Sequence, residues 1–141
     1  FGADDRLAIA IQLRAMTAQK KQTLIIANDP KLALKTGADG VHWPEKHMHR
    51  SRKWAGQFAI MTASAHSFRA IHRANTLPLN GLLVSTVFPS RSPSANSPMR
   101  AHGLVLRARK SRLPLFGLGG VTAQTAPSIA GFAGLAGVSF A

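Results

Sequence analysis

The sequence predicts a parallel α/β fold, and three features support this class. Short apolar runs recur along the chain without the polar–apolar alternation of a half-exposed sheet, which is typical of strands covered on both faces. Polar residues follow these runs, as in residues 24–45, where one run ends in Asn28 and Asp29 and the next in His42. Stretches of helical character separate the runs, as in the repeating unit of a parallel sheet.

Six strands and six helices are predicted in alternation. The strands are residues 23–27, 40–43, 58–63, 81–87, 113–117 and 134–140, and the helices are residues 5–21, 30–36, 49–55, 67–74, 97–110 and 123–130. The first helix has an acidic start and ends in Lys20 and Lys21, which matches the polarity of the helix dipole. In the fifth helix, Ser97 is predicted to be the N-cap and Pro98 the first helical residue.

This order allows two architectures, an open doubly wound sheet or part of a TIM (β/α)8 barrel. The short, even spacing between the strands favours the barrel. A complete barrel needs about 200 residues or more, whereas this chain has 141 residues and does not begin with Met. Six parallel strands would also leave open edges. The sequence therefore predicts one barrel domain over residues 1–141 that lacks its first one or two βα units, because we expect an N-terminal segment to be missing.

The charged residues are distributed very unevenly. Lys and Arg number 18 against 5 Asp and Glu, for a net charge of +13, and the last side-chain carboxylate is that of Glu45. A metal site or a carboxylate base must therefore use the first third of the chain. The later loops offer hydroxyl groups, His, cations and backbone amides, which suit the binding of anions, above all phosphate.

The basic surface has two interpretations, a nucleic-acid interface or a solvated outer ring of helices. The basic residues are scattered, and no recognition helix, zinc-finger spacing or aromatic RNA-binding motif accompanies them, so nucleic acid is the less favoured partner. The absence of Cys excludes disulfides, a thiolate nucleophile and Cys-based metal sites. Because no apolar run is long enough to cross a membrane, we expect no membrane partner. The absence of Cys is compatible with the cytoplasmic location that we expect.

Residues that follow the strands are the candidates for function, because the C-terminal ends of the strands carry the active site in such barrels. They form six groups: Asn28 and Asp29; His42 and Glu45; Ser64 and His66; Ser90 and Ser92; Gly119 and Gly120; Val138 and Ser139. Phosphate sites in these barrels commonly use the loops after the last two strands, and the turns at 119–120 and 137–139 occupy those positions. A Gly–Gly pair can also be simply a turn, so the second turn strengthens the prediction.

The sequence leaves the interpretation of three other features open. Asp29 suits Mg²⁺, which binds one or two carboxylates together with waters and phosphates, but it also suits a helix cap before Pro30. Segment 89–98, rich in Ser and Pro, is either a disordered surface loop or a mobile loop of the active site. His47 and His49 form a His-x-His pair, but no third ligand for zinc lies nearby in the sequence.

Several motifs are similar to those of the thiamine phosphate synthase/TenI superfamily. They are residues 26–47 with Asn-Asp and Gly-Ala-Asp-Gly-Val-His, then Ser64-Ala65-His66, Val87-Phe88-Pro89-Ser90, Leu118-Gly119-Gly120-Val121-Thr122 and Gly134-Leu135-Ala136. The resemblance implies a TIM barrel and an enzyme of thiamine biosynthesis that joins hydroxymethylpyrimidine diphosphate to thiazole phosphate and releases pyrophosphate. It also implies Mg²⁺ as the cofactor and small phosphate-bearing substrates as the partners, and it is compatible with a homodimer.

The resemblance further implies roles for individual residues. On the pyrimidine side, Asn28 matches a contact to the diphosphate, Asp29 an Mg²⁺ ligand and Ser64 a contact to the pyrimidine. The residues matched to the loops that bind the thiazole phosphate and the other phosphate groups are Ser90, Arg91, Ser92, Gly119, Gly120, Val138 and Ser139.

The chain departs from the family pattern at several positions. His47 stands where the family has a second carboxylate ligand for Mg²⁺, and Glu45 is the expected substitute. Pro93 replaces a Lys, and Thr86 stands where the TenI branch, a thiazole tautomerase, has its histidine. The family's Gln-x-Arg-x-Lys strand would precede Phe1. The sequence therefore predicts a synthase-like transferase; the alternatives are a TenI-like tautomerase, a non-catalytic phosphate-binding relative and a basic nucleic-acid-binding protein.

Overall fold

The computed structural model describes residues 2–93 and 95–137, which form a six-stranded parallel sheet with helices between the strands. The strands are β1 (Ile25–Ala27), β2 (Gly40–Trp43), β3 (Ile60–Ser64), β4 (Gly81–Val84), β5 (Leu115–Gly117) and β6 (Gly134–Leu135). The α-helices are α1 (Ala3–Gln19), α2 (Pro30–Thr36), α3 (Phe68–Ala74) and α4 (Arg100–Ala108). Two 3-10 segments cover Glu45–Trp54 and Ala126–Ser128.

The strand order identifies the sheet as the barrel type. Neighbours in the sheet are also neighbours in the sequence, from β1 through β6, and every pair is parallel. A doubly wound sheet would instead reverse its strand order at a switch point. The architecture is therefore α/β and matches six strands of a TIM barrel, which confirms the predicted fold class.

The register of the strands brings the candidate residues to one edge of the sheet. His42 is the partner of Ala27 on one side and of Thr62 on the other, and Ser64 is the partner of Leu83. Because all strands run in the same direction, the residues at and after their C-terminal ends emerge together. The site is thus assembled from loops that are far apart in sequence.

The core lies between the sheet and its covering helices. Val41, Trp43, Leu82 and Val84 on β2 and β4 are almost completely buried. The helices cover them with small and branched side chains, of which the buried examples are Ala33, Ala70, Ile71, Ala74 and Leu104. Burial on both faces explains why these strands read as continuous apolar runs in the sequence.

Two ion pairs connect α1 to the sheet, one where the strands begin and one where they end. Arg14 Nη1 lies 2.9 Å from Asp39 Oδ2, and the same oxygen accepts the Leu24 amide at 2.8 Å, just before β1 and β2 begin. Arg6 Nη2 lies 3.2 Å from Asp29 Oδ2, just after β1 ends. Neither α1 nor any other helix in the described part of the chain is long and apolar enough to cross a membrane.

The prediction of an α-helix at residues 49–55 is wrong, because a longer 3-10 helix occupies Glu45–Trp54. Met48 and Ser51 are its buried residues, and they are separated by three positions, as are Ser51 and Trp54. A three-residue spacing of inward side chains is the repeat of a 3-10 helix and not of an α-helix.

The start of α4 also differs from the prediction, since its N-cap is Met99 and not Ser97. The amides of Met99 and Arg100 donate to the carbonyl oxygens of Thr86 and Val87 at 3.0 and 2.7 Å. These bonds hold the end of the Ser-Pro-rich segment against the loop after β4. The Ser-Pro pair therefore precedes the helix and does not begin it.

Several other elements are also shorter than predicted, among them β1 and β5, which each begin two residues later. β4 ends at Val84, although Val87 still donates to the Leu118 carbonyl at 3.0 Å beyond the end of the strand ladder. Residues 123–130 contain only a short 3-10 segment, because Thr125 Oγ1 accepts the Thr122 amide at 2.8 Å and forms a side-chain turn in place of a helical one. β6 comprises two residues, and positions 138–140 of the last predicted strand lie outside the described residues.

Candidate active site

The predicted site residues that the structure describes all lie at the C-terminal edge of the sheet, in two groups. The first group lies at or after the ends of β1 to β3 and comprises Asn28, Asp29, Glu45 and Ser64. The second group follows β4 and β5 and comprises Ser90, Arg91, Ser92, Gly119 and Gly120. The two remaining predicted residues, Val138 and Ser139, lie outside the described residues.

Asn28 forms a sharp corner after β1 and is held there by two contacts. Its φ is +53°, and its amide donates to the His42 carbonyl at 2.8 Å. Its Oδ1 lies 3.0 Å from His47 Nδ1; since an amide oxygen only accepts, Nδ1 carries the proton. Partial desolvation, followed by the nearby cations Arg50 and Lys46, lowers the pKa of His47 from its ordinary value. A neutral His47 therefore orients Asn28, at the position where the family carries a metal ligand.

Asp29 has a protein partner on each carboxylate oxygen. Oδ1 accepts the Leu32 amide at 3.0 Å, so Asp29 is the N-cap of α2, with Pro30 at the start of the helix. Oδ2 pairs with Arg6. The helix-cap interpretation of Asp29 is therefore confirmed, and a cation already lies against the oxygen that the cap does not use.

Glu45 is engaged by the loop after β3. Its Oε2 accepts the His66 amide at 2.7 Å, and its Oε1 lies 4.0 Å from Arg73 Nη2 of α3. Within residues 2–93 and 95–137, no cluster of three or more His, Asp or Glu side chains could hold a metal ion. The structure therefore gives Glu45 a loop-positioning contact that the sequence did not predict, and its expected role as a metal ligand stays a prediction.

His42 connects two hydroxyl groups on β3. Its Nδ1 lies 2.9 Å from Thr62 Oγ1 and its Nε2 lies 2.9 Å from Ser64 Oγ. Burial, followed by the charge of nearby His66, lowers the pKa of His42. A neutral imidazole has one donor and one acceptor nitrogen, so one hydroxyl donates to the ring and the other accepts from it. This network fixes the position of the Ser64 hydroxyl group.

His66 joins the two groups of site residues. Its ring Nδ1 lies 3.1 Å from the Ser85 carbonyl oxygen and 3.3 Å from Ser85 Oγ. Its main-chain amide is the donor to Glu45. The ends of β2, β3 and β4 are thus connected through this one residue, which leads from the Asn28–Ser64 side to the loops after β4 and β5.

A cavity of about 490 Å³ lies between the loop after β4 and the turn after β5. Its wall includes all five residues of the second group, namely Ser90, Arg91, Ser92, Gly119 and Gly120. Ala136 and Gly137, directly before the predicted Val138–Ser139 turn, complete the wall on the side of β6. The structure therefore brings together the loops that the sequence analysis matched to phosphate binding.

Two glycines allow the turn after β5 to form this wall. Gly119 has φ +93° and Gly120 has φ +63°, conformations that L side chains rarely adopt. A Cβ at Gly119 would lie 2.8 Å from Thr86 Cγ2. Among the described residues, no acceptor is present for the amides of Gly119 and Gly120, and adjacent free amides in such a turn form an anion-binding concavity.

Sequence reasoning missed some of the residues that build this edge. Thr86 is buried and accepts the Asn96 amide on its hydroxyl at 3.0 Å, which connects Asn96 to the loop after β4. Residues 89–92 and 95 of this segment line the cavity, and its role as a mobile loop of the active site stays a prediction. The sequence did not predict a role for Arg6, because a lone Arg in the first turn of an outer helix is usually a solvated surface residue. Only the fold places it beside Asp29.

Comparison with known proteins supports the same picture. Residues 1–141 match the family model described as thiamine monophosphate synthase. The chain is 30% identical over 127 residues to a thiamine-phosphate synthase of Synechococcus sp. (strain WH7803), covering 88% of this chain and 36% of that protein. It is also 30% identical over 115 residues to putative thiamine-phosphate synthase 2 of Aquifex aeolicus, covering 81% of this chain and 62% of that protein.

A solved structure has the same fold. Thiamine phosphate pyrophosphorylase from Pyrococcus furiosus superimposes with a TM-score of 0.81 at 20% identity, over 98% of this chain and 67% of that one. The chain spans 36% to 62% of the length of the Synechococcus and Aquifex relatives. Since the family match extends over every residue of the chain, the chain belongs to the thiamine monophosphate synthase family.

Proposed function

We propose that the protein is a thiamine phosphate synthase-like transferase. It joins hydroxymethylpyrimidine diphosphate to thiazole phosphate and releases pyrophosphate. The observation that carries this proposal is the cavity of about 490 Å³, in which Ser90–Ser92 face the turn at Gly119–Gly120. Hydroxyl groups, a guanidinium and glycine amides without an acceptor among the described residues surround one concave space and suit the phosphate of the thiazole substrate.

The other half of the site suits the diphosphate substrate. In the reaction, the bond between the pyrimidine methylene carbon and the diphosphate oxygen breaks, the electron pair leaves with pyrophosphate, and the methylene carbon bonds to the thiazole nitrogen. Positive charge develops on the pyrimidine and negative charge on the leaving group. Such a step depends on electrostatic stabilisation in a fixed geometry, for which the chain supplies Asn28, Asp29 and nearby cations.

Ser64 is proposed to contact the pyrimidine, and His42 to position it. His42 is hydrogen-bonded to the hydroxyl groups of Thr62 and Ser64, each at 2.9 Å. These bonds fix the Ser64 hydroxyl at the end of β3. Because the pKa of His42 is lowered, its ring is neutral near pH 7 and adds no positive charge beside the developing pyrimidine cation. This arrangement orients the substrate without acid–base work by a carboxylate.

The donor set at the end of β1 fits Mg²⁺ as a one-carboxylate site. Asp29 supplies a carboxylate oxygen, Oδ2, that already lies 3.2 Å from a positively charged group, the Arg6 guanidinium. Mg²⁺ commonly uses one or two carboxylates and completes its shell with waters and substrate phosphates. When bound, it would neutralise charge on the diphosphate. We propose Asp29 as the first ligand, with Glu45 as a second only if it releases the His66 amide.

A phosphate-binding relative without transferase activity is the second candidate. The cavity would be retained in such a protein, whereas Pro93 and His47 stand where the family has a cation and a carboxylate. The tautomerase alternative is weaker, because Thr86 is buried and its hydroxyl accepts the Asn96 amide. Threonine also lacks a group that exchanges protons near neutral pH.

The decisive test is turnover of the full-length protein with both substrates and Mg²⁺, measured as the formation of thiamine phosphate and pyrophosphate. Product well above a control without protein supports the transferase. No product from a folded protein that still binds thiazole phosphate identifies the phosphate-binding relative. Loss of turnover in Ser64→Ala, with Ser111→Ala at the opposite edge of the sheet unaffected, would assign the chemistry to this site.

Three expectations accompany this proposal. The partners are small phosphate-bearing molecules and the location is cytoplasmic, and a homodimer is compatible with the family resemblance. A basic nucleic-acid-binding protein remains the alternative from another class. It would show polynucleotide affinity that falls steeply with salt and does not respond to thiazole phosphate.

A further inference from the structure

Arg6 is the residue that the proposed reaction does not yet use, although it contacts the central carboxylate of the site. Its Nη2 lies 3.2 Å from Asp29 Oδ2, while Asp29 Oδ1 is occupied by the Leu32 amide. Oδ2 is therefore the oxygen that Asp29 has left for a cation. The guanidinium lies where a divalent ion would have to bind.

The Arg6 side chain is able to leave this position. It is 46% exposed, against 31% for Asp29, so the pair lies at the surface of the edge and the guanidinium is partly solvated. Exposed ion pairs are weak because water and salt screen them. Release of Arg6 therefore requires no unfolding of the sheet.

The surrounding charges favour an anion as the next partner of Arg6. Lys46, His47 and Arg50 lie on the 3-10 segment next to the corner, and His47 contacts Asn28 directly. Apart from Asp29 and Glu45, no carboxylate follows the strands at this edge. The other acids near Arg6 are Asp4 and Asp5 in the first turn of α1, and Asp5 Oδ2 already accepts the Gly2 amide at 3.1 Å. Phosphate oxygens, by contrast, match the planar donor geometry of a released guanidinium.

We propose that Arg6 is a tethered counter-ion that competes with a divalent metal ion for Asp29 and transfers to the phosphate oxygens of the diphosphate substrate when metal binds. This inference rests on the proposed function, because it takes Asp29 as the metal ligand. Two cations at one carboxylate oxygen repel each other, which makes the two states of Arg6 exclusive. Arg6 would thus supply a cation to the diphosphate in a chain that has Pro93 where the family has a Lys.

The chain contains a matched control for this experiment. Arg14 belongs to the same helix and pairs with Asp39 at the opposite edge of the sheet. Arg14→Gln therefore removes an ion pair of the same kind from α1 without changing the surroundings of Asp29. Arg6→Lys keeps the positive charge and is the conservative variant.

The first measurement is Mn²⁺ binding to the full-length protein without substrate, followed by the electron paramagnetic resonance signal of free Mn²⁺. We expect Arg6→Gln to bind Mn²⁺ about threefold to fivefold more tightly than the wild type, the range that an exposed ion pair is worth. Arg14→Gln and Arg6→Lys should stay within about twofold of the wild type, since neither removes the charge beside Asp29. Circular dichroism confirms that each variant is folded.

The second measurement is pyrophosphate binding in the presence of saturating Mn²⁺. If Arg6 transfers to the diphosphate, Arg6→Gln weakens this binding by about fivefold or more, as expected for loss of a charge-assisted contact. Arg14→Gln should leave it unchanged. The proposal predicts opposite effects of one substitution on metal and on pyrophosphate, which a purely structural role of Arg6 would not produce.

Three outcomes would overturn the inference. These are unchanged or weaker Mn²⁺ binding in Arg6→Gln, equal effects of Arg6→Gln and Arg14→Gln, and the absence of Mn²⁺ binding in all variants. The last outcome also removes the proposed metal site. Tighter Mn²⁺ binding in Arg6→Gln from a protein that makes no thiamine phosphate would keep the inference and reject the transferase.

Discussion

The main chain of Phe88 lies so close to Gly120 that a Cβ on this glycine would be 2.8 Å from the Phe88 carbonyl oxygen. The Phe88 amide in turn donates to the Gly119 carbonyl at 2.9 Å. These contacts hold the turn after β5 against the loop after β4. The wall of the phosphate cavity therefore depends on the absence of a side chain at position 120.

We expect Gly120→Ala to destabilise the protein and to weaken thiazole-phosphate binding. Gly37 is a control with nearly the same backbone conformation, since its φ is +64° and that of Gly120 is +63°. A Cβ at Gly37 would have no atom within 4 Å, whereas a Cβ at Gly120 would clash with the main chain of Phe88. Gly37→Ala should cost about 1 kcal/mol from backbone strain alone. Gly120→Ala should cost about 2 to 4 kcal/mol, since overpacking adds to the strain. Urea unfolding measures both, and equal losses would contradict the close approach.

Asp29 combines two roles that different substitutions separate. Asp29→Ala should lose about 1 kcal/mol because the N-cap of α2 is removed, whereas Asn retains a side-chain acceptor for that cap. Both variants should lose Mg²⁺-dependent turnover, because neither carries the carboxylate. Thiazole-phosphate binding should remain nearly intact in both, as Asp29 does not line the cavity. Turnover that survives in Asp29→Asn would mean that Asp29 is a cap and not a metal ligand.

The stability of the protein should fall as the pH drops below neutral, partly because of His42. Its pKa is lowered in the folded state, so the unfolded chain binds a proton at a higher pH than the folded chain does. The stabilisation is present above the unfolded value, about 6.5, and is lost as the pH falls from there through the folded value. His42→Asn should flatten the dependence of unfolding free energy on pH between about 7.5 and 5.

The matched control for this experiment is His102→Asn, an exposed histidine on α4. It should leave the slope close to that of the wild type. His47 also has a lowered pKa, so part of the slope should persist in His42→Asn. A slope that is unchanged in His42→Asn would show that His42 does not contribute to it.

The two serines matched to the thiazole phosphate provide a direct test of the cavity. Ser92 lines it, and Ser139 follows Gly137, which also lines it. We expect Ser92→Ala and Ser139→Ala each to weaken thiazole-phosphate binding by about fivefold to tenfold, the value of a hydrogen bond to a charged group. Isothermal titration calorimetry measures the affinity. Unchanged affinity in both variants would reject the assignment of this cavity to the thiazole phosphate.

Much of the candidate site was predictable because its residues follow strands. The pairs Asn28–Asp29 and Gly119–Gly120 stand out as polar or flexible residues directly after apolar runs, and the parallel order of the strands brings such residues to one edge. Local chemistry also offered the cap as one of two interpretations of Asp29, since Asp before Pro is a common start of a helix. The 3-10 helix at 45–54 was not predicted, because its three-residue repeat involves only Met48, Ser51 and Trp54 among charged neighbours.

The sequence by itself determined the fold class, the edge at which the site lies and the resemblance to a phosphate-binding family. These properties depend on periodicity and on short motifs, and both can be read along the chain. Only the tertiary structure decided the partners of the charged and titratable groups. Arg6 and Asp29, or Glu45 and the His66 amide, are 23 and 21 residues apart and meet because the sheet aligns their loops. Charge and hydrogen bonding act over a few ångströms, so these pairings follow from the fold and not from the local sequence.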